Sequence, residues 1–229
     1  MAFEYLMMTR SGSKSRWLPQ TAESDVDYRL FVFPEFMDGT VDIDSLSQIK
    51  RPEADYFVSR IDALLDVRRA AHLLTIPALD PANILDIQQD TLDHRFERFI
   101  HDHWIDIVDC YPEFTYNTGI RMITLNLERN TRRLDVLTYL IGVLTQRRTI
   151  ESFSVAYRLN DQWTERYLGA RFGDYVRSDI ERWLDEIMDD STRDFYRSLP
   201  RLPKTDVYEE FKDIINELIL NYNGSTTDP

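Results

Sequence analysis

The chain has 229 residues, 43% hydrophobic and 29% charged, which suits one large globular domain or two small ones without disulfides or a structural metal. Its net charge of -13 excludes broad non-specific binding to nucleic acid, because a phosphate backbone is repelled at long range. The single cysteine, Cys110, excludes an internal disulfide. No apolar run approaches the length of a bilayer crossing, so a cytoplasmic protein without membrane contact is expected.

In chain order, FEYLMM reads as a short strand and TRSGSKS as a turn. DYRLFVF alternates, is rich in aromatic and β-branched residues, and stops at Pro34, so it reads as a second strand. Residues 35–52 read as an irregular excursion, and ADYFV as another strand. From about residue 59 the period changes. Ile61, Leu64, Leu65, Ala71 and Leu74 recur at helical spacing up to Pro77. Asp80 and Pro81 then resemble an N-cap and first helical position, opening a short helix through Ile87.

Helical patterns continue over roughly 91–110, 114–130, 131–148, 160–168, 174–189 and 206–222, with Asn130-Thr131 separating one pair. SLPRLPKTD is a proline-stiffened linker, and NGSTTDP is expected to be a disordered tail at 223–229. Strands followed by helices argue for an α+β fold. The expected division is a strand-rich domain over 1–90 and a helical domain over 91–222.

The chemically informative stretch is GSKSRWLPQTAESDVDYRLFVF. Residues two apart on a strand share a face, so Asp25 and Asp27 can converge. Carboxylates that close repel unless a cation or proton lies between them, and magnesium favours such oxygen ligands together with substrate phosphates. Gly12 lets the backbone approach a phosphate, with Ser13 and nearby amides as donors. Asp55, opening DYFV, is a third carboxylate that an adjacent strand can bring beside the pair. Asp38, Asp42, Asp44 and Asp62 compete for that role on sequence alone. The GSK triplet is not a Walker loop, since the upstream glycine and its spacing are absent.

These segments resemble the DNA polymerase β-type nucleotidyltransferase superfamily, and within it the bacterial and phage nucleotidyltransferases associated with RNA ligases and RNA repair. The resemblance implies a small palm-like sheet followed by a helical body. It also implies a magnesium- or manganese-dependent enzyme that moves a nucleoside monophosphate from a nucleoside triphosphate, such as ATP, to a hydroxyl. Asp25, Asp27 and Asp55 would be the catalytic metal ligands, and Gly12, Ser13, Ser24 and Arg29 would bind the nucleotide. The acceptor is an RNA end, a protein hydroxyl or a small molecule. The same resemblance places Asn83, Leu85 and Asp86 on a helix carrying an Asn-x-Leu-Glu-like motif.

The chain departs from the family pattern at several places. Trp17 and Leu18 replace small residues after the Gly-Ser turn, Leu30 replaces a glycine, Asp86 replaces a glutamate, and a histidine common near Arg133 is missing. An inactive scaffold or binding protein of the same fold, and a toxin-like enzyme that nucleotidylates a partner protein, therefore stand as alternatives.

Other chemistry-bearing residues have plainer readings. His101 and His103 lie two apart in a helical pattern and do not share a face, so they are expected at the surface or core edge. Arg132, Arg133, Arg147 and Arg148 read as surface charge at helix ends, with phosphate binding as the alternative, and Arg16 and Arg29 have the better claim to a nucleotide. Trp104, Trp163 and Trp183 read as core, Cys110 as a buried small hydrophobe, and DEIMDD as a solvated helix end.

Overall fold

The computed structural model describes residues 7–20, 26–32, 54–65, 73–74, 76–87, 95–109, 111–130, 132–199 and 205–225. Its strands are β1 (Met7–Arg10), β2 (Val26–Val32), β3 (Ala54–Arg60) and β4 (Ile84–Ile87). They form one four-stranded sheet in the order β3-β2-β1-β4. β1 is antiparallel to both β2 and β4, whereas β2 and β3 run parallel. The helices are α1 (Gly12–Ser15), α2 (Ile76–Leu79), α3 (Arg95–Val108), α4 (Pro112–Arg129), α5 (Leu134–Arg147) and α6 (Phe153–Ala156). They continue with α7 (Asp161–Phe172), α8 (Arg177–Ile187), α9 (Asp190–Ser198) and α10 (Thr205–Ser225). The chain is thus mixed α and β and mostly helical.

The strands at β2 and β3 form where β-branched and aromatic residues concentrate, as expected. On β2, Asp27, Arg29 and Phe31 share one face, and Phe31 joins Met7 in the apolar cluster of the helical body. The face carrying Asp27 and Arg29 is therefore the one turned toward the helices. That cluster runs from Met7 and Phe31 through Tyr139, Leu140 and Trp163 to Leu218. Among the long helices described, α5 is the most enclosed, and its LIGVL run is buried throughout. Its Gly142 leaves room for Leu159 and Trp163, whose atoms a methyl group there would meet at 2.9 and 3.1 Å.

Helix ends follow local chemistry. Asn130 closes α4 in the left-handed conformation, with its N–H on the carbonyls of Asn126 and Leu127, as the Asn130-Thr131 break implies. Asn160 caps α7 through the Trp163 N–H, and Gly173 ends it at φ 91°.

Three expectations need correction. The expected helix over 80–87 is a single 3₁₀ turn, Pro81–Asn83, and then strand β4. Asp80 does cap that turn, accepting the Ala82 N–H at 2.9 Å, but the chain then pairs with the free edge of β1, and this long-range pairing overrides the local signal. Leu85 and Asp86 thus lie on a strand and Asn83 on a 3₁₀ turn, not on a helix. The helical period from residue 59 begins instead as the end of β3 and a 3₁₀ turn over Ile61–Leu65, with residues 66–72 outside the described set. Finally, DEIMDD is more than a helix end. α8 stops at Ile187, and Asp189 accepts the Thr192 N–H at 2.6 Å to start α9. Among the described residues, no helix is long and apolar enough to cross a membrane.

Candidate functional site

The site begins where β1 leaves the sheet. The Ser11 N–H donates to the Asp27 carbonyl at 2.8 Å, and Gly12 then turns the chain at φ 59°. The turn is tied internally: Ser15 Oγ donates to the Gly12 carbonyl at 3.0 Å, and the Leu18 N–H donates to the Ser13 carbonyl at 3.1 Å. A methyl group on Gly12 would lie 1.7 Å from Asp27 Oδ2. Two independent constraints, positive φ and contact with a carboxylate, therefore demand glycine there. Ser13 sits on this turn and its Oγ accepts a long bond from Gln20 Nε2 at 3.3 Å.

Across the sheet, Asp27 on β2 is in register with Asp55 on parallel β3. Cross-strand partners share a sheet face, with neighbouring strands about 4.8 Å apart. The backbone thus brings positions 27 and 55 together at the turn. Ser24, Asp25 and Cys110 lie outside the described residues, as does the side chain of Asp55. Among the described residues, no three His, Cys, Asp or Glu side chains gather as metal ligands.

Arg29 is the next residue of β2 on the same face as Asp27, in register with buried Thr9 on β1. Burial lowers its pKa, and the nearby Arg16 guanidinium lowers it further. Arg16 also lies over the ring of buried Tyr139, 4.8 Å from its centroid, which ties the turn to α5.

A buried polar clamp fixes the other side of the turn. Asp80 is 4% exposed and receives a bond from the Tyr157 hydroxyl and another from Arg158 Nη2, the latter at 3.0 Å. Arg158 Nε donates to the Tyr157 oxygen at 3.1 Å, and the Trp17 indole N–H donates to the same oxygen at 3.2 Å. Burial and the Asp80 carboxylate push the Tyr157 phenol well above its ordinary pKa, so it stays a hydrogen-bond donor. Asn83 Nδ2 donates to the carbonyls of Ser15 at 2.8 Å and Pro77 at 2.7 Å. The turn, β4 and the segment after α6 are thereby locked together.

This clamp is not legible in the sequence. Asp80 reads as a cap but not as the partner of Tyr157 and Arg158, from which a long stretch of chain separates it. Asn83, expected on a helix, is a buried brace under the turn.

The other candidates lie elsewhere. His101 bonds its neighbour Asp102 at 3.0 Å at an exposed position, and His103 reaches Asp106 at 3.5 Å, so the two serve separate partners. Arg147, expected as surface charge, is instead buried, where it donates to the Ile150 carbonyl at 2.8 Å and faces Asp109 at 3.5 Å, and Arg133 pairs with Asp135 at 2.8 Å. Trp104, Trp163 and Trp183 are core residues, as expected. Cavities between Asp161 and Tyr175, and between Glu113 and Arg197, are lined by the helical body alone. Comparison with protein-family models, with curated proteins and with solved structures found no match.

Proposed function

We propose that the protein is a nucleotidyltransferase that moves a nucleoside monophosphate from a nucleoside triphosphate to a hydroxyl acceptor, and that its sheet is a nucleotidyltransferase palm. One observation carries the reading. A turn glycine is pressed onto the carboxylate of Asp27, while Asp55 occupies the in-register position on the adjacent parallel strand. A close backbone turn beside paired carboxylate positions is what a site for a metal-bound triphosphate needs.

Magnesium or manganese would be held by Asp27 together with Asp55 and Asp25, because carboxylate oxygens suit such ions. Such ions supply charge neutralisation on the triphosphate and a lowered pKa for the attacking hydroxyl. The chain's own groups do the rest. Backbone amides and the Ser13 hydroxyl of the turn hold phosphate oxygens. Arg29 and Arg16 supply positive charge beside them, with Ser24 as a further hydroxyl contact. Asp55 accepts the acceptor's proton as its oxygen bonds to the α-phosphorus, the α–β anhydride bond breaks, and pyrophosphate leaves with the bonding electrons.

The helical body forms the acceptor-binding wall. An RNA end suits the resemblance to RNA-repair enzymes, and a protein hydroxyl suits the chain's acidic charge, which disfavours long RNA. Incubation with labelled nucleoside triphosphates, magnesium and RNA or protein acceptors tests the reading. Transfer by wild type that vanishes in Asp25→Ala/Asp27→Ala supports it. Absence of both nucleotide binding and transfer in wild type leaves a scaffold that only shares the fold.

A further inference from the structure

We infer that Trp17 is the platform on which the base of the nucleotide stacks, and that it binds purines and pyrimidines alike. This inference rests on the nucleotide reading of the site and assigns the base to a residue outside the carboxylate motif.

Of the four tryptophans, three are core residues at 8%, 3% and 3% exposure, whereas Trp17 is 50% exposed. It is exposed although the fold goes to some length to hold it. Its indole N–H is bonded to the Tyr157 hydroxyl, and the Arg158 guanidinium stacks on its ring 4.7 Å from the centroid. Arg158 is itself fixed by Asp80 at 3.0 Å. Trp17 also has φ 56°, a left-handed conformation unfavourable for a bulky side chain, and the only other described non-glycine residue with positive φ is the helix-closing Asn130. Strain of this kind persists only where surrounding structure enforces it, and it concentrates at ligand sites.

The result is a ring with one face backed by a cation, much of its surface left to solvent, and little freedom to move. An aromatic ring fixed this way loses almost no entropy on stacking. Its place suits a base as well. The Leu18 N–H bond to the Ser13 carbonyl closes the segment that carries Trp17 onto the turn that would hold the phosphates. Every base offers a π face, so stacking on an indole gives affinity with little discrimination.

Calorimetric titration with Mg-ATP, Mg-UTP and Mg-inorganic triphosphate tests the assignment on wild type, Trp17→Leu and Trp17→Phe. The expected result is about tenfold weaker binding of both ATP and UTP to Trp17→Leu, near-recovery in Trp17→Phe, and unchanged triphosphate affinity in all three. Equal ATP affinity in wild type and Trp17→Leu overturns the inference. So does a loss of triphosphate binding as large as that of ATP, which would make Trp17 a support for the turn alone. If wild type binds triphosphate but binds ATP no better, the platform is lost and the phosphate site stands. If it binds none of the three, the nucleotide reading falls as well.

Discussion

The carboxylate of Asp27 rests on the Cα of Gly12, so close that a single methyl group there would sit 1.7 Å from Oδ2. This contact joins the β1 turn to the strand that carries the acidic motif, and it makes the two residues mutually dependent.

Gly12→Ala is expected to destabilise the fold. Backbone strain at φ 59° alone costs roughly 1–3 kcal/mol, and the clash must also push the Asp27 side chain aside. Denaturant midpoints measure the first effect. Magnesium affinity measures the second, and it should fall further than stability does.

Asp27→Asn keeps the shape and removes the charge. In wild type, magnesium is expected to raise Tm by mass action on the folded state. The variant is expected to show no magnesium-dependent rise and no transfer activity. Thermal scans with and without magnesium read the first, and labelled-nucleotide transfer reads the second.

The clamp predicts a cost for Tyr157→Phe. Without the hydroxyl, the Trp17 indole N–H loses its acceptor and Asp80 loses a donor inside the protein. The expected loss of stability is about 1–3 kcal/mol. Trp17 emission should also shift, since its N–H then faces water or nothing, and the emission maximum of the variant checks this.

Much of this architecture is legible in the sequence, and the failures share a cause. β2 and β3 are plain because aromatic and β-branched residues cluster there, and the Asn130 break is plain because asparagine tolerates a left-handed cap. The strand at Ile84–Ile87 is not, since Asp80-Pro81 is a genuine helix-start signal and only the open edge of β1 draws the next residues into a sheet. The start of α9 hides inside an acidic run whose Asp189 is a cap. For the site, Gly12 and Asp27 could be paired by motif spacing. The Asp80–Tyr157–Arg158–Trp17 clamp could not, because nothing local in either segment advertises the other.

Asp109 should give a pH dependence opposite to that of most carboxylates. Its burial raises its pKa, outweighing the lowering effects of Ser152, the Phe153 N–H and Arg147. The folded state therefore holds this proton to higher pH than the unfolded chain does. Its contribution to stability is full below the ordinary carboxylate range and falls as pH rises through the raised value. Asp109→Asn should flatten that fall, and unfolding midpoints across the acidic range would show whether it does.

The most direct test is where manganese binds. Crystals grown with manganese and a non-hydrolysable nucleoside triphosphate should give anomalous peaks between the carboxylates of Asp27 and Asp55, with Asp25 as a further ligand and the triphosphate against the Gly12 turn. Peaks elsewhere, or an Asp55 side chain turned from Asp27 with the ion absent between them, would contradict the proposed chemistry.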